Sequence, residues 1–207
     1  MIAGAMIGVV GGSFRWCLEQ AEHLRDRMIV WSHGNPYIGW LVPVVAVMVA
    51  VAIARLLVLK LAPEASGSGI HRVEAIMAGE IQAGNDLVLP VKYVGGLLSL
   101  GSGMALGREG PTVQMGASIG HLIAPWFVRN KDDERVVLAA GAGAGLAVAF
   151  NAPIGGSVFV FEELTTNFTP LLLVATLSAA LFAVGVMRWM IGNHYVFFVI
   201  PDVTPVQ

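Results

Sequence analysis

Three short stretches of the chain carry residue types that can hold an anion or move a proton. In residues 107–111 (GREGP) an arginine and a glutamate stand side by side in an apolar region. Residues 93–107 before Arg108 are uncharged, and residues 110–128 hold no Asp, Glu, Lys or Arg. Pro111 marks a helix start, which sets Glu109 and Gly110 ahead of the first turn. The positive end of that helix would stabilise the carboxylate, and a small anion in its place equally well. Glu109 can then act as a tethered anion that occupies an anion site and swings away once it takes up a proton. It could also do no more than complement the helix dipole, although an ionisable residue inside a membrane is a functional candidate by default. In residues 67–71 (GSGIH), Ser68 lies between two glycines just ahead of a short helical pattern. Unpaired backbone N–H groups at a helix N-terminus form an anion site, to which a hydroxyl adds one donor. An ordinary N-cap with flexible flanks reads the same way. In residues 150–164 (FNAPIGGSVFVFEEL), Asn151 and Pro153 break one helix and start another that is apolar as far as Glu162 and Glu163. Those carboxylates can collect protons from the aqueous side, or simply be solvated in an interface loop.

These residues need a scaffold, and the composition says which kind. The 207 residues are 56% hydrophobic and only 13% charged, with a mean hydropathy of +0.74. A soluble domain carries about 25% charged residues, so the membrane is the indicated solvent. The net charge of −2 offers no basic patch for nucleic acid, and the single Cys17 excludes an internal disulfide framework. The five histidines lack metal-ligand spacing, and no metal or organic cofactor is expected. No short apolar segment with a cleavage site follows Met1, so no signal peptide is expected.

Apolar segments run over residues 1–14 (continuing amphipathically to about Trp31), 37–54, 89–107, 110–128, 136–161 and 164–187, with a short semi-polar one at 68–78. Gly34-Asn35-Pro36 breaks the chain before the second, and residues 129–135 (RNKDDER) form one strongly charged loop. The periods are helical or continuous, without alternating strands. About eight helices result, several short or broken by Gly and Pro. Broken helices at membrane depth point to a transport pathway, since irregular backbone is tolerated there only where protein or a water-filled cavity covers it. Glycines at steps of four, Gly4/Gly8/Gly12, Gly116/Gly120 and Gly141/Gly145, mark faces where helix backbones approach closely.

Together the three stretches resemble the CLC family of chloride channels and chloride/proton exchangers. GSGIH is similar to its GSGIP, GREGPTVQMGASIG to its GREGP helix and AFNAPIGGSVFVFEEL to its helix ending in a Glu-Glu pair, with LPVKYVGG (residues 89–96) between the first two. The order and separation match over nearly the whole chain. The resemblance implies that Ser68, with the backbone of Gly67, Gly69 and Ile70, helps coordinate a central chloride. It makes Glu109 the external gate and proton carrier, with Arg108 and Gly110 lining the outer anion site, and Glu163 the internal proton relay. Channel members commonly carry an apolar residue at the Glu163 position, so the pair Glu109 and Glu163 favours coupled exchange. A serine in place of the proline of nitrate-preferring members favours chloride. His71 stands where the family usually has proline.

The resemblance further implies an all-α polytopic membrane protein, residues 1–207 being one membrane domain: the first of two inverted repeats, with the second repeat, its loop and its tyrosine absent. It implies chloride and protons as the transported species, a homodimeric full-length protein with an interface over residues 153–164 and 169–191, a bacterial inner membrane, and no enzymatic activity. The alternatives are a passive voltage- or pH-gated chloride channel and, from another class, a soluble phosphate-binding enzyme using the glycine-rich residues 141–145.

Overall fold

The computed structural model describes residues 1–34, 39–165 and 168–192; Asn35, Pro36 and Tyr37 of the sequence reading lie outside them. Among the described residues there are eight α-helices and no strand: α1 (Ile2–His33), α2 (Leu41–Leu61), α3 (Ile70–Ala78), α4 (Val88–Gly101), α5 (Glu109–Phe127), α6 (Lys131–Phe150), α7 (Pro153–Phe159) and α8 (Pro170–Ile191). A 3-10 turn, Pro63–Ala65, leads towards α3, and a π-helical turn, Val160–Leu164, continues α7.

The bundle is centred on α5 and α6, which meet backbone to backbone. A methyl group added to Gly116 would collide with the carbonyl of Gly141, and one on Gly141 with that of Gly116. Gly145 lies against the Thr112 carbonyl and Gly120 against that of Val137. The partners step by four in opposite directions, the signature of an antiparallel pair in register. The glycine-rich residues 141–145 are therefore the buried middle of a helix, which overturns their reading as a phosphate loop. Gly4 and Gly8 of α1 sit in the same way on the Ala179 and Ala183 carbonyls of α8. Ile7, Ile119, Val148, Val184 and Met187 fill the space where α1, α5, α6 and α8 converge. A second core holds Val73, Val113, Leu138, Val160 and Leu164, joining α3 to the π turn across α5 and α6. Close backbone approach in lipid relies on dispersion and small side chains rather than on a hydrophobic drive.

α2 and α8 are long and apolar enough to cross a membrane, at 21 and 22 residues with hydropathies of 2.7 and 2.2. A 21-residue helix is about 31 Å long, close to the hydrocarbon thickness. Only Ala54 of α2 is buried, while Val45, Met48, Val49, Ile53, Leu56 and Leu59 stand exposed, as suits a helix bathed in lipid.

Several boundaries differ from the sequence reading, each for a local reason. α2 continues past Ala54 to Leu61, because one arginine does not end an otherwise apolar helix. α4 stops at Gly101, short of Gly107, where Gly103 turns to φ 96°, a left-handed stop. Most of the charged stretch 129–135 is helix: the Asn130 side chain accepts from the Asp132 N–H at 3.0 Å, and Asp132, Asp133 and Glu134 fill the first turn of α6, complementing the dipole. α8 begins at Pro170 rather than Leu164, with the Thr169 hydroxyl accepting from the Leu172 N–H at 3.2 Å.

Candidate functional site

The N-termini of α3 and α5 converge. α5 starts at Glu109 with Arg108 as its N-cap, so Glu109 and Gly110 lie inside the first turn rather than ahead of it. Pro111 is then third in the helix. A proline there costs nothing, because the first four N–H groups have no intrahelical acceptor. The Thr112 hydroxyl lies 3.1 Å from the Arg108 carbonyl and 2.8 Å from that of Glu109, stitching the turn. α3 starts one residue later than Ser68 suggests: Gly69 is the N-cap, at φ 91°, and no side chain caps this helix. The Ser68 hydroxyl is therefore not spent on capping. Gly67 is also left-handed, at φ 68°, a conformation L-residues rarely adopt; the alternation Gly-Ser-Gly is what this loop needs.

Gly110 and Ser68 touch: a methyl on Gly110 would overlap both the carbonyl and the Oγ of Ser68. The Glu109 carboxylate turns back over Gly107, where a methyl would strike its Oε2. Ser68, Gly67, Ile70, Glu109 and Gly110 all line one cavity of about 610 Å³, walled also by α2 and α4. Gly69 lies behind the loop against Gln114, whose Nε2 donates to the Glu64 carbonyl at 2.8 Å. Arg108 serves as the cap of α5. His71 points away, its side chain 92% exposed and 3.5 Å from Glu74.

Glu162 and Glu163 lie on the π turn and both are exposed, apart from the cavity. Val160 and Leu164 of that turn pack with Val73 of α3, so the helix whose N-terminus bears the Ser68 loop rests on the segment carrying Glu163. The break before α7 is built by Asn151, which takes φ 56° and accepts from Arg188 Nε at 2.8 Å. Asn is among the residues that tolerate this conformation.

Lys92 is the site residue that sequence reading passed over, inside the apolar run of residues 89–107. It is 5% exposed, and its Nζ donates to the carbonyls of Ala65 at 3.1 Å and Gly67 at 2.7 Å. A lysine alone in an apolar helix is a signal that its charge is held by something; here it pins the Ser68 loop from behind and places a positive charge at the cavity wall. With two helix N-termini aimed into the same space, the arrangement can hold a small anion with the Glu109 carboxylate as its competitor.

A model of the voltage gated chloride channel family matches residues 50–206. The chain is 42% identical over 169 residues to the H(+)/Cl(-) exchange transporter ClcA of Vibrio cholerae, covering 81% of this chain and 36% of that protein. It is 38% identical over 168 residues to the transporter of the same name from Citrobacter koseri, with the same coverage. The chain thus spans about a third of the length of the curated relatives it matches. Among solved structures, a slow cyanobacterial Cl−/H+ antiporter superposes with a TM-score of 0.89 at 36% identity, over 94% of this chain and 46% of that one. A CLC-type fluoride/proton antiporter gives 0.75 at 25% identity, over 100% and 49%.

Proposed function

The chain belongs to the voltage gated chloride channel family, and from that premise we propose that the protein carrying it exchanges chloride for protons across a membrane. The observation that carries the proposal is the meeting of Ser68 and Glu109 in one cavity at the N-termini of α3 and α5. Chloride binds there through the Ser68 hydroxyl and the backbone N–H groups of Gly67, Gly69 and Ile70 on one side, and of Arg108 and Gly110 on the other. Glu109 is the external gate. Ionised, it competes with chloride for the positive end of α5; protonated, it loses that attraction and leaves, carrying its proton. Glu163 passes protons in from the opposite aqueous side. Its exposure on the π turn supports a group that equilibrates with water.

The proposal extends to the whole protein: two inverted repeats, of which residues 1–207 are the first, forming a homodimer in a bacterial inner membrane. α7 and α8 supply the dimer contact; Ile154, Val174 and Leu181 there are exposed and apolar. The test is proton uptake driven by a chloride gradient in vesicles holding the full-length protein. A chloride current whose reversal potential ignores the pH gradient would make it a passive channel and overturn exchange.

A further inference from the structure

Arg55 is out of place in α2. The helix has a hydropathy of 2.7, and its only charged residues are Arg55 and, in the last turn, Lys60. An arginine within a span is costly to insert when it lies near the centre, so a water-filled face is the place to keep one. Helical spacing supplies that face: Val51, Ala54, Arg55 and Val58 line the cavity, whereas Val49, Ile53, Leu56 and Leu59 lie on the exposed side. Among the described residues Arg55 makes no ion pair or hydrogen bond. The cavity's other cation, Lys92, is buried and committed to two loop carbonyls, whereas Arg55 is exposed. Glu109 is the one carboxylate among the described lining residues.

We propose that Arg55 is the anion-recruiting residue of this cavity, holding an incoming chloride by charge before it passes to Ser68 and Glu109; this rests on the exchange reading above. A guanidinium stays charged at every working pH and presents five donors, so recruitment is independent of the protonation of Glu109. A charge in a cleft with low-dielectric walls raises the local concentration of its counter-ion, and does so less as salt screens it.

The test uses the full-length protein in liposomes, with chloride flux measured against chloride concentration at low ionic strength and again with added potassium gluconate. Arg55→Gln should raise the half-saturating chloride concentration about fivefold at low ionic strength, with a gap that shrinks below about twofold in gluconate; Arg55→Lys should restore most of it. Equal half-saturation in wild type and Arg55→Gln, or a shift that gluconate leaves untouched, overturns the proposal. Should Arg55→Gln fail to insert, the wild type decides: its half-saturation must rise with gluconate, and a flat response overturns the role. A wild type without chloride flux defeats the exchange reading instead. Calorimetry with sodium chloride on the detergent-solubilised protein then judges Arg55 by itself, weaker binding in Arg55→Gln than in wild type, largely restored in Arg55→Lys, upholding it and equal binding in wild type and Arg55→Gln overturning it.

Discussion

At Glu109, an amide keeps the shape of the side chain and removes both its charge and its titration. Glu109→Gln in the full-length protein should therefore abolish chloride-driven proton uptake while chloride flux persists, since the neutral side chain mimics a gate held open. Unchanged proton uptake would show that Glu109 does not carry the proton. At Ser68 the hydroxyl is free of capping duty, so Ser68→Pro removes a donor aimed into the cavity and the loop's own N–H. Anion competition should shift from chloride towards nitrate; identical selectivity before and after would remove Ser68 from the site. Lys92 acts through the loop rather than on the ion. Lys92→Met leaves the Ala65 and Gly67 carbonyls without their donor, where each charged hydrogen bond contributes about 1.5–3 kcal/mol. Chloride binding by calorimetry should weaken about tenfold, and the protein should unfold at lower temperature. A variant that binds chloride as before would show that the loop holds its shape without the ammonium.

At the scale of elements, the α5–α6 contact leaves no room for a side chain. Gly116→Val would drive a methyl group into the Gly141 carbonyl, and overpacking of this kind costs about 3 kcal/mol. The variant should lose its monodisperse peak in size-exclusion chromatography, while Gly185→Ala in α8, where no atom lies within 4 Å of an added Cβ, should not. The glycine steps behind this contact were readable, because backbone approach needs small residues at a fixed spacing. So were the breaks at Asn151 and Pro153, which backbone chemistry dictates. Helix ends were less so: Asn130 and the three acids after it convert a charged stretch into a first turn, and hydropathy does not weigh caps. The two cations were also passed over. Lys92 and Arg55 each interrupt an apolar run, and only the fold reveals that one faces loop carbonyls and the other a cavity. Ser68 and Glu109 were singled out by motif, but their sharing one cavity depends on how α3 and α5 are packed, which no local pattern encodes.

At the scale of the molecule, the cavity receives its described donors from α2, α4 and the starts of α3 and α5, and the chain spans about a third of its curated relatives. An anion stripped of water needs compensating contacts on several sides. Residues 1–207 alone, reconstituted in liposomes, should give no chloride flux above that of empty vesicles. Flux with Glu109-dependent proton coupling would require two copies inserted in opposite orientations to complete each other's site. Within this frame the glycine register between α5 and α6 has a mechanical result. Carbonyls seated in glycine notches let the two helices slip only by a full notch, about 6 Å for four residues, so small thermal displacements along the axis find no intermediate resting place. The backbone under Glu109 is indexed like a detented shaft, and any movement of its carboxylate is left to the torsions of one side chain.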